Sequence, residues 1–204
     1  MATTTAMTAA MVTAALEETA AKIAPNDPSP FRQGDAVVYP AHGVGRVDRV
    51  GFEEIAGHRL NLIHISFEDN QMTLRVPVAQ AHATGLRKLA SQQTLAAALA
   101  ALKGRPRVSR LMWTKRSQEY LAKINTGNPE ALAEVVRDLQ LGDDGSGCSF
   151  SQRHLFELAL ERLAGEFAAV NRIAKPDAIE VLNRTLVDAK ADGTVARQRT
   201  IIGV

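Results

Sequence analysis

A chain of 204 residues has room for one ordinary domain or two small ones, and its formal net charge of +2 favours no particular partner. The single cysteine, Cys148, excludes an intrachain disulfide and a cysteine-based metal site, which is typical of the reducing cytosol. No apolar run approaches the roughly 20 residues of a membrane-spanning helix, and the N-terminus lacks the features of a secretory signal, so we expect a cytoplasmic protein.

Residues 1–30 are predicted to form a flexible N-terminal extension. The segment is rich in alanine and threonine, and its last six residues include three prolines, which disfavour regular structure. Apolar residues near helical spacing between Met7 and Ile23 leave open a weak amphipathic helix for part of it.

Residues 31–88 carry the pattern of a small antiparallel β domain. Short segments predict strands at 36–39, 45–52, 60–67 and 72–76, separated by turns that contain glycine, aspartate or asparagine. In the last strand every second residue is apolar, so Arg75 is expected to point away from a core that holds Met72, Leu74 and Val76. Four or five such strands form a curled sheet or barrel, which is too small to enclose a catalytic pocket and is often a docking surface.

From residue 78 onward the spacing of apolar residues is helical. Predicted helices cover 94–102, 108–124, 129–141, 149–172 and 175–189, and residues 191–204 are expected to form a flexible tail. Gly127 is predicted as a left-handed cap and Pro129 as the start of the next helix, while Ser149 and Gln152 form a capping box. The inward positions of the helix at 108–124 are predicted to be Leu111, Met112, Tyr120, Leu121 and Ile124.

Short connections between these helices imply a compact all-α domain over residues 89–190. The predicted fold class is therefore α+β, with the β domain at 31–88 preceding the helical one. Positive charge is concentrated in the second domain, because residues 103–123 hold seven basic residues and one acid, Glu119. Such an excess favours a polyanionic partner, and a solvated helix face is the alternative.

No group of residues has the spacing of a catalytic or metal-binding site. The chain lacks a nucleophile motif, and its five histidines show no paired spacing for a metal ion. The sequence Gly43-Val44-Gly45 lies between two predicted strands, so no helix N-terminus follows it to bind a phosphate. We therefore expect neither enzymatic activity nor a cofactor or metal.

Trp113, the single tryptophan, lies within the basic region. Its indole is a flat apolar group with one N–H donor, and Lys115 and Arg116 follow it closely. These groups can hold a nucleic-acid backbone and press a ring against a base step. The alternative is that Trp113 belongs to the core of the helical domain, which composition alone favours slightly.

Three longer motifs occur in order along the chain. The first is Phe31-Arg32-Gln33-Gly34-Asp35-Ala36-Val37-Val38-Tyr39-Pro40-Ala41-His42-Gly43-Val44-Gly45, and the second is Met72-Thr73-Leu74-Arg75-Val76-Pro77. The third runs from Trp113 through Gly127 to Ala133-Glu134-Val135-Val136-Arg137-Asp138-Leu139. Together they resemble the signatures of the CarD/CdnL-type bacterial transcription regulators, over about residues 31–188.

The resemblance implies a Tudor-like N-terminal domain that docks on the β subunit of RNA polymerase. It also implies a helical C-terminal domain that contacts promoter DNA in the minor groove, at the upstream edge of the transcription bubble. There the tryptophan acts as a wedge that stabilises the open complex during transcription initiation. We accordingly expect a nucleoid-associated monomer. A protein–protein adaptor that docks on polymerase without contacting DNA is the alternative.

The resemblance also implies the site residues. Arg75 matches an arginine that contacts polymerase, and the polymerase-binding residues are expected to be Arg75, Thr73, Tyr39 and Pro77. Trp113 matches the wedge, and the DNA-binding residues are expected to be Trp113, Lys115, Arg116, Arg110, Arg153 and His154. Two positions depart from the family pattern: Glu53 stands where some members have a polymerase-contacting arginine, and Gln118 replaces a basic residue near the wedge. Residues 1–30 have no counterpart in the shorter members.

Overall fold

The structure, a computed structural model, describes residues 29–55, 57–69, 71–107, 111–140 and 149–202, with side chains through Lys190. An antiparallel sheet comes first and a set of helices follows, so the predicted α+β fold is confirmed. The predicted N-terminal extension up to residue 28, the predicted loop at 142–147 and Cys148 lie outside the described residues.

Five strands form one sheet in the described part of the chain, in the spatial order β4-β3-β2-β1-β5. Their bounds are β1 Ala36–Tyr39, β2 Gly43–Ile55, β3 His58–Phe67, β4 Met72–Pro77 and β5 Arg87–Lys88. The four predicted strands are present, and β2 is longer than predicted at both ends. Strand β5 lies within the predicted β domain at 31–88, but no strand was predicted there, because the spacing of apolar residues from 78 onward is helical. Gly85, with a φ of 76°, turns the chain back there, so that β5 pairs with β1.

Apolar side chains on one face of the sheet form its core, because residues two apart in a strand share a face. The buried members of this sheet core are Phe31, Val37, Val47, Ile63, Ile65, Phe67, Val76, Ala81 and Leu86. In β4 the predicted alternation is confirmed. Val76 is buried, and Met72 and Leu74 pack half-buried against the core. Arg75 is exposed on the other face.

Gly45 of β2 lies where the sheet core leaves no room for a side chain. A Cβ there would lie 2.7 Å from Ile65 Cγ2 and 2.8 Å from Phe67 Cε1. We therefore expect Gly45→Ala to lower the free energy of unfolding, measured by urea denaturation, by about 1–3 kcal/mol. The matched control is Gly51→Ala in the same strand, where a Cβ would meet nothing within 4 Å. Equal stability of the two variants would contradict the prediction.

Five helices follow the sheet in the part of the chain that the structure describes. They are α1 Gln92–Leu102, α2 Trp113–Thr126, α3 Pro129–Asp138, α4 Phe150–Asn171 and α5 Lys175–Ile202. The predicted capping signals are confirmed, because Gly127 has a φ of 65° and Pro129 is the first residue of α3. At the start of α4, Ser149 Oγ accepts a hydrogen bond from the backbone N–H of Gln152 at 3.2 Å.

Helix α2 begins later than predicted, at Trp113 instead of residue 108, with Met112 as its N-cap. Two predicted inward residues, Tyr120 and Ile124, are buried. The other three predictions are wrong, because Leu111 is 44% exposed, Met112 is 75% exposed and Leu121 is 43% exposed. The first two of these precede the first helical turn. The third follows Tyr120 directly and is therefore turned about 100° away from the buried stripe.

Helix α5 continues to Ile202, past the predicted end near residue 189. Gly193, which the sequence interpretation placed in a frayed end, lies inside the helix. A glycine in a helix interior costs about 1 kcal/mol relative to alanine, which weakens a helix without ending it. Helix α3 ends at Asp138, three residues before its predicted end, while α4 ends at Asn171, close to its prediction.

The sheet and the helices are joined by buried polar contacts. Glu166 of α4 is 1% exposed and pairs through its two oxygens with Arg87 of β5, at 2.5 and 2.7 Å. The same carboxylate accepts a hydrogen bond from the backbone N–H of Ala90 at 2.8 Å. Arg87 also donates to the carbonyl oxygen of Gly127, in the turn between α2 and α3. One ion pair therefore connects β5, α4 and the α2–α3 turn.

A second set of contacts lies at the turn between β1 and β2. Arg162 of α4 donates to the carbonyl oxygens of Ala41 and Ile124, at 3.0 and 3.3 Å. Burial lowers the pKa of its guanidinium from the ordinary arginine value. Pro40 packs on Gly127, where a Cβ would lie 3.4 Å from Pro40 Cα. The C-terminal end of α2 is thus fixed against the sheet.

Candidate nucleic-acid interface and docking face

The N-terminal ends of α2 and α4 meet at Trp113. Trp113 Nε1 donates to Ser151 Oγ in the first turn of α4, at 3.2 Å, and the half-buried indole packs against the helical core. Ser151 Oγ lies 3.1 Å from the N-cap hydroxyl of Ser149. Part of the Trp113 ring therefore packs on the core and part remains accessible, so the ring is neither a fully buried core residue nor a fully exposed one.

Arg116 lies over two aromatic rings of its own helix. Its guanidinium carbon is 5.7 Å from the ring centroid of Trp113 and 5.9 Å from that of Tyr120, within the range of cation–π attraction. Positions three and four apart share a helix face, so the sequence itself brings these three residues together. The Nε of Arg116 has no hydrogen-bond partner within the described residues. Arg116 is thus held beside the indole as a basic neighbour.

Positive charge without a carboxylate partner surrounds this contact. Lys115 and Arg153 are exposed, and neither they nor Arg116 forms an ion pair with any residue that the structure describes. Lys115 lies on the first turn of α2 and Arg153 on the first turn of α4. Four of the six predicted DNA-binding residues, Trp113, Lys115, Arg116 and Arg153, therefore lie at or near the two helix ends that the Trp113–Ser151 hydrogen bond joins, and His154 is a fifth on α4.

The basic segment before α2 is anchored to α3. The backbone N–H of Arg107 donates to Asp138 Oδ1 at 2.9 Å, and Asp138 also pairs with the buried Arg137. The side chains of Lys103, Arg105 and Arg107 are exposed. Arg110, predicted to bind DNA, lies outside the described residues.

Exposed apolar side chains accompany the charges. Phe150, the first residue of α4, is 87% exposed, and its ring stacks parallel to that of His154, with centroids 6.5 Å apart and an interplanar angle of 4°. The predicted His154 is therefore part of the same surface. The sequence interpretation missed Phe150. Its signal is an aromatic residue directly after the serine N-cap, ahead of the buried stripe that begins at Leu155.

The candidate docking face is the outer face of β4. Thr73, Arg75 and Pro77 share this face, and the side chain of Arg75 is 61% exposed. Arg75 Nη1 lies 3.6 Å from Glu53 Oε2 on β2. Glu53 also pairs with Arg49, and Nε2 of the buried His64 lies 3.2 Å from Glu53 Oε1.

This arrangement has a consequence for the charge of the face. Glu53 occupies the position at which some members of the family have an arginine. Its carboxylate lies among two arginines and a histidine. Part of the charge of Arg75 is therefore balanced within the protein.

Tyr39 lies apart from the other predicted docking residues. Strands β2 and β3 separate β1 from β4, and Tyr39 packs against the sheet core, with its ring stacked on His42 at a centroid distance of 5.6 Å. The structure therefore brings three of the four residues to one face, and Tyr39 faces the opposite side of the sheet.

Two further kinds of feature are absent from the described residues. Among them, no three histidine, cysteine, aspartate or glutamate side chains are grouped as metal ligands. No helix in the described part of the chain is long and apolar enough to span a bilayer.

Comparison with known proteins identifies both halves of the chain. The CarD-like/TRCF RID domain matches residues 31–90, and the CarD C-terminal domain matches residues 97–183. The chain is similar to YdeB of Bacillus subtilis (strain 168), which is described as a proposed transcription factor. The two are 25% identical over 145 residues, which is 71% of this chain and 95% of YdeB. The solution NMR structure of the 72-residue N-terminal domain of Myxococcus xanthus CarD is 34% identical and covers 34% of this chain and 95% of that domain, with a TM-score of 0.25. With a Tudor-like RID sheet followed by a CarD C-terminal helical domain, this chain belongs to the CarD-type transcription factors.

Proposed function

We propose that this protein docks the outer face of β4 on the RNA polymerase β subunit and holds the N-terminal ends of α2 and α4 against promoter DNA. The contact lies at the upstream edge of the transcription bubble, and it stabilises the open complex. The observation that carries the proposal is the half-buried Trp113 with Arg116 over its ring, at a junction of two helix ends whose first turns carry Lys115 and Arg153; these three basic residues form no ion pair within the described residues.

The family assignment gives the coarser part of this function. CarD-type transcription factors regulate transcription, interact with RNA polymerase and are not enzymes. The β subunit as the docking site, the DNA contact, the monomeric state and a cytoplasmic, nucleoid-associated location belong to the proposal. They rest on the resemblance and on the charges of the two faces described above.

Electrostatics explains why the two faces need each other. A few lysine and arginine contacts to phosphates give weak binding that falls steeply with salt. Docking on polymerase raises the effective concentration of DNA near α2 and α4, so weak contacts become sufficient. Changing the lifetime of an open complex tenfold needs only about 1.4 kcal/mol. Contact of one aromatic ring with a base supplies about 1–3 kcal/mol.

We predict that Trp113→Ala keeps polymerase binding but loses most of the effect on the promoter. The lifetime of open complexes, measured by challenge with competitor DNA, should fall about tenfold relative to wild type. Because Trp113 packs on the helical core, its loss can also disturb the fold. The double variant Lys115→Gln/Arg153→Gln avoids this problem, since both side chains are exposed. It should shorten the lifetime and reduce its dependence on salt. Arg184→Gln, an exposed arginine of α5, is the matched control.

The adaptor alternative predicts a different pattern. A protein that docks on polymerase and never contacts DNA would leave the promoter footprint unchanged. Both variants would then give wild-type lifetimes while the folded protein still bound polymerase. That outcome would remove the DNA contact from the proposal and keep the docking face.

A further inference from the structure

Two large apolar side chains are exposed beside the proposed DNA contact. Phe150 is 87% exposed and Met112 is 75% exposed, more than any other large apolar side chain in the described part of the chain. One exposed apolar residue is ordinary on a protein surface. These two lie at the two helix ends that the hydrogen bond from Trp113 to Ser151 joins, so a partner bound at this junction is within reach of both.

Each of the two residues directly precedes one partner of a hydrogen bond between the helix ends. Met112 precedes Trp113, and Phe150 precedes Ser151, and these neighbours are joined by the hydrogen bond from the indole N–H. The indole itself is half-buried, engaged through its N–H and flanked by Arg116. Trp113 therefore offers less free ring surface than Phe150 does.

The ring of Phe150 has one aromatic neighbour. It lies parallel to the His154 ring one helical turn away, with centroids 6.5 Å apart and an interplanar angle of 4°. This contact favours one orientation of the ring and leaves its other face open to a partner. Phe150 thus presents a flat apolar surface at the tip of α4.

Charge decides which partner fits this surface. Lys115 and Arg153 flank the two apolar residues and form no ion pair with described residues. The partner must therefore combine negative charge with flat apolar faces. Single-stranded nucleic acid has both, whereas in a duplex the base faces are stacked on each other.

We propose that Phe150 stacks on an unpaired base of the transcription bubble and that Met112 packs beside it, while Trp113 holds the two helix ends together. This inference rests on the proposed function and adds a ligand, unpaired bases, and a residue, Phe150. Phe150 is then a second aromatic contact, on an unpaired base, beside the contact of Trp113 with the edge of the duplex.

The test compares two fluorescently labelled DNA probes, a duplex with a short unpaired bubble and the same duplex fully paired, by anisotropy with the full chain at low salt. Wild type should bind the bubble at least about fivefold more tightly than the duplex, since stacking of one base is worth at least that factor. Phe150→Ala should reduce the preference by at least about fivefold relative to wild type and leave duplex binding unchanged. Phe150→Tyr should keep it, and Val187→Ala, an apolar residue of α5 that is 62% exposed, should match wild type.

Each other outcome has a defined meaning. A bubble preference in Phe150→Ala as large as that of wild type, or DNA binding by wild type without any preference, would overturn the inference and leave the proposed DNA contact intact. Weaker binding of Phe150→Ala to polymerase, with unchanged DNA binding, would show a protein partner and also overturn it. Failure of wild type to bind either probe, alone or with polymerase present, would overturn the proposed function as well.

Discussion

Glu166→Ala should lower the free energy of unfolding by about 3 kcal/mol, because it removes one partner of a buried ion pair. Arg87, which is partly exposed, would keep its bond to the Gly127 carbonyl but lose both carboxylate oxygens. The N–H of Ala90 would lose its acceptor as well. Since small domains are stable by only about 5–15 kcal/mol, a loss of this size is readily measured by urea denaturation followed by circular dichroism.

The same helix supplies the control for this variant. Glu161 of α4 has a side chain that is 63% exposed, and its one ion-pair distance, to Lys175, is 3.9 Å. Exposed pairs of this kind contribute about 0–1 kcal/mol, so Glu161→Ala should be close to wild type. Glu166→Gln, which keeps an acceptor for Ala90 but loses the charge, should fall between the two. A Glu166→Ala protein as stable as Glu161→Ala would contradict the role of the pair.

Arg75→Glu should weaken binding to RNA polymerase at least about tenfold, which corresponds to about 1.4 kcal/mol. The substitution reverses the charge of an exposed side chain at the centre of the proposed docking face. It also places two carboxylates next to each other, since Arg75 now lies 3.6 Å from Glu53. Binding would be measured by titration calorimetry with the polymerase core enzyme, and the fold by circular dichroism.

A second variant separates a lost contact from a local disturbance of the sheet. Arg75→Gln removes the positive charge without placing a second carboxylate beside Glu53, which keeps its pair with Arg49. If Arg75 contacts polymerase directly, Arg75→Gln should fold like wild type and still bind weakly. Wild-type affinity of Arg75→Gln, or of Arg75→Glu itself, would place the docking contact elsewhere on the protein.

The fold could be predicted where local signals are strong. Strands β1 to β4 are marked by alternation and turn residues, and the caps at Gly127, Pro129 and Ser149 carry their own side-chain or backbone chemistry. Strand β5 has only two residues and exists because β1 pairs with it, which is a tertiary effect. The start of α2 was misplaced because its N-cap, Met112, makes no side-chain capping hydrogen bond and so leaves no local signal.

The candidate site was predictable in its charge and less so in its geometry. The basic excess around Trp113 is visible in the sequence, but the division of its ring between core and surface depends on the packing of α4. Phe150 was missed because a helical pattern normally leads one to bury a phenylalanine. The pair of Arg87 and Glu166 joins residues 79 positions apart, and no periodicity connects them.

The contact of Gly127 with Pro40 makes helix α2 a spacer between the sheet and Trp113. This helix of 14 residues is fixed against the sheet at its C-terminal end and carries Trp113 at its N-terminal end. At about 1.5 Å per residue it is a rigid spacer of about 20 Å. Its length therefore sets how far the indole stands from the docked sheet, and its residue count sets the direction in which the indole points. Inserting one residue into α2 would turn Trp113 by about 100° around the helix axis and move it away from Ser151.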